Sequence, residues 1–438
     1  MSSFSVASLP LEAGAQFTIS DDGALLRRSV LPGGVRLLTS ALPHVHSAFI
    51  GFWVGAGSRD EAPGTYGSTH FLEHLLFKGT GRRTALQVSE ESDYMGGAFN
   101  AATGRQHTAY YGHVFEADMG RAVDLLADMV TSARLDAQDF ATERGVILEE
   151  LAMYADDAAD VAQEQLPQQV FGSHPLGRPV GGTAETVRAL QHEALLRHYR
   201  SVYRPEELVV VAAGAVDHDR LADMVLTELA KGGWELRDDA VPAPRRQVSD
   251  IDYPAGTTVS LTRDVEQAAV TFGVPAIALQ DSRLSTEFAL STILGGGTSS
   301  RLFQEIREKH GLAYSTYAFP AAYREGGLFG MFAACAPAAT EEVAGIMNGE
   351  LDRIARDGVS EAEVESAFRR QRADIVFDGE HIASTMNRMA TSELVRGELI
   401  SQHEHVRRAR AVNAADIQAL AVELAAGPRS TVTVGPAK

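Results

Sequence analysis

Two histidines one helical turn apart, with a carboxylate between them, are the residues of this chain best suited to chemistry. They are His70, Glu73 and His74, in the run Ser68-Thr-His-Phe-Leu-Glu-His-Leu-Leu-Phe-Lys-Gly-Thr80. On a helix, positions i and i+4 lie on one face, so the two imidazoles can close on a single metal ion. Glu73 directly precedes the second histidine and points to nearly the same side. A carboxylate placed there can take a proton from a water held at the ion without binding the ion itself. The order H-x-x-E-H reverses the commoner H-E-x-x-H arrangement. Metal-assisted hydrolysis is the chemistry this set can do. A surface helix bearing two unrelated histidines is the plain alternative.

A catalytic zinc ion takes three protein ligands and keeps a fourth position open, so two histidines need a third donor. The stretch Thr142-Glu-Arg-Gly-Val-Ile-Leu-Glu-Glu-Leu151 offers three carboxylates on one helical segment. Glu143 and Glu150 lie two turns apart and share a face, whereas Glu149 points roughly 100° away from Glu150. Glu150 is therefore assigned as the ligand. Glu143 is assigned to orienting a ligating imidazole or the site water, with a surface ion pair as its plain alternative, and Glu149 to solvent. His44 with His46, and His403 with His405, are two residues apart. On a helix that spacing splits each pair across faces, and neither is read as a metal site.

The elements that must hold these residues form two halves of similar layout. The first, residues 28–231, opens with strand-like alternation over 35–39 and 47–56, and helical stretches then surround the histidine motif. A strand at 108–114, helices at 119–132 and 136–154, an apolar strand at 207–214 and a helix at 217–230 follow. Residues 232–250 hold Gly232, Gly233, Pro242, Pro244 and mixed charges, and read as a linker. The second half, residues 251–438, repeats the plan. It has strands at 268–275, 327–334 and 430–434, and helices at 282–294, 299–310, 339–357 and 360–377. Mixed strands and helices in a doubled unit argue for two α+β domains rather than a solenoid. Where the first half carries H-x-x-E-H, the second has Leu294-Gly-Gly-Gly-Thr-Ser-Ser-Arg301, so metal chemistry belongs to the first domain alone.

Composition narrows the class. A chain of 438 residues exceeds one core and suggests roughly two to four domains. No run approaches the ~18 apolar residues of a membrane span, so no membrane partner is expected. The segment before residue 26 carries Glu12, Asp21 and Asp22 and no Lys or Arg, unlike a secretory or mitochondrial leader. A single cysteine, Cys335, can make no internal disulfide, and a cytoplasmic location is expected. The net charge of −19 repels a phosphate backbone and excludes nucleic acid as a partner, while favouring basic peptides.

These residues together resemble the insulinase/pitrilysin family of zinc metallopeptidases. The likeness is strongest to its short-chain branch, with the mitochondrial processing peptidase β-subunit and bacterial homologues, and it covers nearly the whole chain after about residue 28. It rests on the inverted motif and the glutamate that follows at the His74-to-Glu150 spacing, within Glu143-Arg-Gly-Val-Ile-Leu-Glu-Glu150. It also rests on Gly96-Gly-Ala-Phe-Asn-Ala-Ala-Thr103, His174-Pro-Leu-Gly-Arg-Pro-Val180 and the pair Arg307 and Tyr314. Two residues depart from the pattern: Gln106 stands where relatives often have Glu, and Ala102 replaces a larger residue.

The resemblance implies an α+β fold of two homologous domains. Each is an antiparallel-rich sheet covered by helices, and the two form half of a clamshell chamber. It implies one Zn2+ per chain and hydrolysis of unfolded peptides or short polypeptides, with basic or presequence-like substrates favoured. Glu73 would be the general base. Phe99, Asn100 and Ala101 would pair with an extended substrate by strand addition, and Phe77 would line the pocket on the prime side. Tyr314 would hydrogen-bond the developing oxyanion and Arg307 a substrate carbonyl. Asp160 and Glu164 fall where the processing peptidase is thought to hold an arginine, in swapped order; a solvated acidic face explains them equally well. A homodimer would complete the chamber, with a heterodimer beside a metal-less homologue as the other arrangement. The rival reading is a non-catalytic scaffold or partner subunit of a peptidase or respiratory complex. Such chains typically lose parts of the metal motif, which this one keeps whole.

Overall fold

Near-continuous apolar runs make the central strands, because a strand covered on both faces has no solvent side to alternate toward. The computed structural model describes residues 4–21 and 23–437. Its strands in the first half are β1 (Val6–Ser8), β2 (Gln16–Asp21), β3 (Ala24–Val30), β4 (Arg36–Ala41), β5 (Ser47–Val54), β6 (Phe99–Thr103), β7 (Thr108–Phe115) and β8 (Leu208–Gly214). Every residue of β8, Leu-Val-Val-Val-Ala-Ala-Gly, is buried. Strands β2 to β8 form one sheet in the order β2-β3-β4-β8-β5-β7-β6. All its neighbours are antiparallel except β4 and β8.

The remaining strands are β9 (Thr258–Thr262), β10 (Ala268–Ala276), β11 (Ala313–Ala322), β12 (Gly327–Cys335), β13 (Glu398–Ile400) and β14 (Ser430–Gly435). Five of them form a second sheet, β11-β12-β10-β14-β9, with β14 and β9 its parallel pair. Laid beside β6-β7-β5-β8-β4, this is the same order with the parallel pair in the same place. The protein is thus α+β with two like halves, each a mostly antiparallel sheet covered by helices. Cys335 is buried in β12, and burial pushes its thiol up to about 11, so it is protonated and inert at neutral pH.

Helices α1 (Ser68–Leu76), α2 (Ala85–Tyr94), α3 (Met119–Ser132), α4 (Ala137–Ala155) and α5 (Ala158–Phe171) belong to the first half of the sequence. Chain contacts, however, divide the molecule differently from the linear segments 28–231 and 251–438. One compact unit holds residues up to Glu149, Val180–Arg246 and Phe377–Glu404; the other holds Glu150–Pro179, Gln247–Val376 and the chain from His405 on. The halves exchange helices. In the second unit α5 packs on β10 and β14, where Leu166 approaches Gly273 so closely that an added Cβ would lie 2.9 Å away. In the first unit the helix Ile382–Thr391 packs on β8, β5 and β4, and the Met386 sulfur lies against Gly51 in the same way. Each half of the sequence thus lends one helix to cover the other half's sheet.

The lent segment is anchored electrostatically within the first unit. The Arg28 guanidinium donates to both Glu393 oxygens, at 2.8 and 2.9 Å, and both side chains are fully buried. Residues 232–257 carry no helix or strand, and the Gly/Pro-rich stretch 232–250 read as a linker lies within this irregular segment. Among the described residues, no helix is long and apolar enough to cross a membrane.

Candidate metal and active site

Helix α1 starts sharply. Gly67 adopts a left-handed conformation, φ 91°, at its N-cap. The buried Glu61 carboxylate accepts from the Gly67 and Thr69 amides, at 2.7 Å each, and satisfies the first turn that would otherwise be left unpaired. Phe71, Leu72, Leu75 and Leu76 are buried. Phe71 stacks on Phe140 of α4 at 4.6 Å between ring centroids, which sets the register of the two helices. On α4 the buried residues Phe140, Glu143 and Ile147 follow a helical period, and Glu150 is the next position along that stripe. The helix runs unbroken through Glu150, so packing of its earlier turns carries that side chain to α1.

His70, His74 and Glu150 each offer one donor atom, and these atoms all lie within 4.8 Å of one another. The two imidazole rings are 4.8 Å apart at 74°, an edge-on arrangement that lets both turn toward one point. Tetrahedral zinc with bonds of ~2.1 Å holds its donors roughly 3.4 Å apart, so small side-chain rotations would close this trio on an ion. Two imidazoles and one carboxylate are a catalytic donor set with a fourth position left for water.

Surrounding groups orient the donors. Nδ1 of His74 lies 3.3 Å from Oε2 of the buried Glu143, and the other Glu143 oxygen lies 2.6 Å from Nζ of Lys78. An Nδ1 engaged with a carboxylate leaves Nε2 for a metal. Glu73 accepts a hydrogen bond at Oε2 from the Thr103 hydroxyl, at the end of β6. Behind it the Tyr110 and Tyr203 hydroxyls meet at 2.6 Å. Burial, more than the neighbouring Glu73 charge, pushes both phenols well above their ordinary range, so they stay neutral.

Strand β6 bears Phe99, Asn100 and Ala101 and is the outer strand of its sheet, paired only with β7 among the described strands. Its free edge is open to an added strand. Phe77 caps the end of α1 with its ring 6.3 Å from Tyr110. Arg307 and Tyr314 belong to the second unit. The Arg307 guanidinium donates to the Tyr314 carbonyl at 3.0 Å and lies 4.4 Å over its ring, and Tyr314 is 77% exposed. Asp160 and Glu164 sit on exposed turns of α5. Burial and the nearby Asp157, the helix N-cap, raise the Asp160 carboxyl.

Five residues of this region escape a reading of the sequence: Glu61, Lys78, Thr103, Tyr110 and Tyr203. Lys78 alone had a local signal, since it follows His74 by one helical turn. The others lie on separate elements that only folding brings to α1.

Residues 36–184 match the family model described as Insulinase (Peptidase family M16), and residues 189–370 match Peptidase M16 inactive domain. The chain is 41% identical to a protein of Streptomyces coelicolor named as an uncharacterized zinc protease, over 94% of this chain and 90% of the relative. It is 40% identical to a similarly named protein of Mycobacterium tuberculosis, over 94% and 93%. The fold also matches a solved structure described as the peptidase M16 inactive domain from Pseudomonas fluorescens. The TM-score is 0.83 at 15% identity, covering 94% of this chain and 98% of that one. With both halves matched in sequence and fold, this chain belongs to the insulinase family of peptidases, peptidase family M16.

Proposed function

We propose that this chain is a zinc-dependent endopeptidase that hydrolyses unfolded peptides and short polypeptides. The convergence of His70, His74 and Glu150 on one point carries the reading. The relatives named as zinc proteases support both the metal and the reaction class. One zinc per chain fits a single such trio among the described residues. A bound zinc ion would supply an electrophile for the scissile carbonyl and a lowered pKa for the attacking water.

The chain's own residues do the rest. Glu73 takes the proton as the water oxygen attacks the carbonyl carbon, then delivers it to the amine nitrogen as the C–N bond breaks. The β6 edge at Phe99, Asn100 and Ala101 aligns an extended substrate through its backbone, which admits many sequences but only unfolded ones. Phe77 borders the prime-side pocket. Asp160 and Glu164, in a protein of net charge −19, favour basic or presequence-like peptides.

Two homologous domains are half of the four-domain chamber that members of this family build, and a homodimer is the simplest way to complete it. In that dimer Arg307 and Tyr314 of one subunit serve the metal site of the other, donating to the substrate carbonyl and the oxyanion. The reducing cytoplasm suits a chain with a single buried thiol.

The test is hydrolysis of a quenched basic peptide by the purified protein, with and without a chelator, beside Glu73→Gln. Activity should vanish on chelation and return with zinc. Glu73→Gln should be inactive while keeping its metal. Zinc-loaded protein that cleaves no peptide would overturn the reading and favour a scaffold subunit.

A further inference from the structure

We propose that Thr103 is a positioning residue for Glu73, tying the orientation of the base to the strand on which substrate docks. The inference rests on the peptidase reading above and adds a residue to it. Thr103 closes β6, and its hydroxyl donates to Oε2 of Glu73 across a sequence gap of 30 residues. By strand alternation Phe99, Ala101 and Thr103 share one face, and the Thr103 bond shows this to be the face turned to α1. A glutamate on a helix surface ordinarily samples several rotamers. One oxygen held by a fixed hydroxyl leaves the other aimed and free to accept a proton.

The hydroxyl is itself well fixed. Thr103 pairs across the sheet with Thr108, whose own side chain donates to the Ala56 carbonyl at 3.0 Å. Just beyond it the Gly104 amide donates to the His107 carbonyl at 2.8 Å. The Ser58 and Arg59 amides donate to the Gly104 and Arg105 carbonyls at 3.1 Å each. That same loop continues into Glu61, which caps α1. The end of β6 and the start of the histidine helix are therefore bound twice, once through this loop and once through Thr103 and Glu73. A peptide added to the β6 edge meets a base whose aim is set by the same strand.

Two variants separate positioning from plain packing. Thr103→Val keeps the shape and β-branching and removes the hydroxyl; Thr103→Ser keeps the hydroxyl. For Thr103→Val we expect kcat to fall roughly 10–100-fold with KM within a factor of about three, since misaim of a catalytic group costs turnover rather than binding. Thr103→Ser should stay within about threefold of the parent rate. Crystal structures of the metal-free proteins supply a readout that needs no activity. Glu73 should hold one rotamer in the parent and in Thr103→Ser, and spread over several in Thr103→Val. Parent-like kcat in Thr103→Val, a single unchanged Glu73 rotamer there, or equal losses in both variants would each overturn the proposal. Failure of the peptidase reading looks different: the parent itself would then show no chelator-sensitive hydrolysis, while the rotamer comparison would still decide whether Thr103 sets Glu73.

Discussion

Glu143 and His74 are joined through Oε2 and Nδ1 at 3.3 Å, so a carboxylate buried on α4 sets the face that this imidazole turns outward. Lys78 holds the opposite oxygen and balances the buried charge. Groups that orient a ligating histidine usually alter metal affinity 10–100-fold. Glu143→Ala is therefore expected to weaken zinc binding by about that factor, read by competition with a chromogenic chelator. Unchanged affinity would mean that the imidazole is held by packing alone.

Glu150→Gln keeps the size of the side chain and removes its charge. Because the Phe71 ring of α1 stacks on Phe140 of α4, away from Glu150, the fold should survive while zinc retention drops. Metal analysis after gel filtration, beside a far-UV spectrum, checks both halves of this expectation. Full metal content would remove Glu150 from the ligand set.

Tyr314 is 77% exposed within its own chain, so its hydroxyl is available to a group outside its own fold. If it donates to the oxyanion, Tyr314→Phe should lower kcat about 10²-fold, the usual cost of one such donor. Stability should stay level, since an exposed hydroxyl contributes little. A parent-like turnover would limit the second half to shaping the substrate space.

Glu393 and Arg28 are both fully buried and doubly hydrogen-bonded. Glu393→Ala leaves a guanidinium stranded in the interior, which costs about 3–5 kcal/mol. Urea unfolding reads this directly. A loss below about 1 kcal/mol would mean that water reaches Arg28 without disturbing the segment Phe377–Glu404.

Two buried histidines give the fold an acid limit. His198 meets the Thr69 hydroxyl at 3.0 Å, and His218 is gripped by Ser29 and Thr39 at 2.9 and 2.8 Å. Burial first, and then nearby arginine charge, pushes each from 6.5 down to about 4. Between those values the unfolded chain binds protons that the folded chain refuses, so stability falls as pH drops from 6.5 toward 4. Each histidine adds about 1.4 kcal/mol per pH unit to that slope in mid-window. Urea midpoints measured across this range check it, and His218→Gln should flatten the curve.

Local periodicity explains what a reader of the residues could see. Helix α3 and strands β7, β8, β10 and β12 fall within a residue or two of their expected places, because alternation and helical period are properties of short segments. The exchange of α5 and the helix Ile382–Thr391 between the two halves of the sequence left no such trace. Either helix could cover either sheet as far as its own pattern goes, and the choice shows only in side-chain packing, such as Leu166 against Gly273 and Met386 against Gly51.

The amino-acid order was enough to put His70, Glu73 and His74 on one helical face, since a spacing of four residues fixes direction once a helix forms. It was also enough to nominate Glu150 over Glu149, for the same reason. Folding alone could bring α4 against α1, seat Glu143 between His74 and Lys78, and carry the Thr103 hydroxyl to Glu73. Those contacts join residues on different elements, whose distances depend on packing among side chains far apart in the chain, and no spacing along it encodes them.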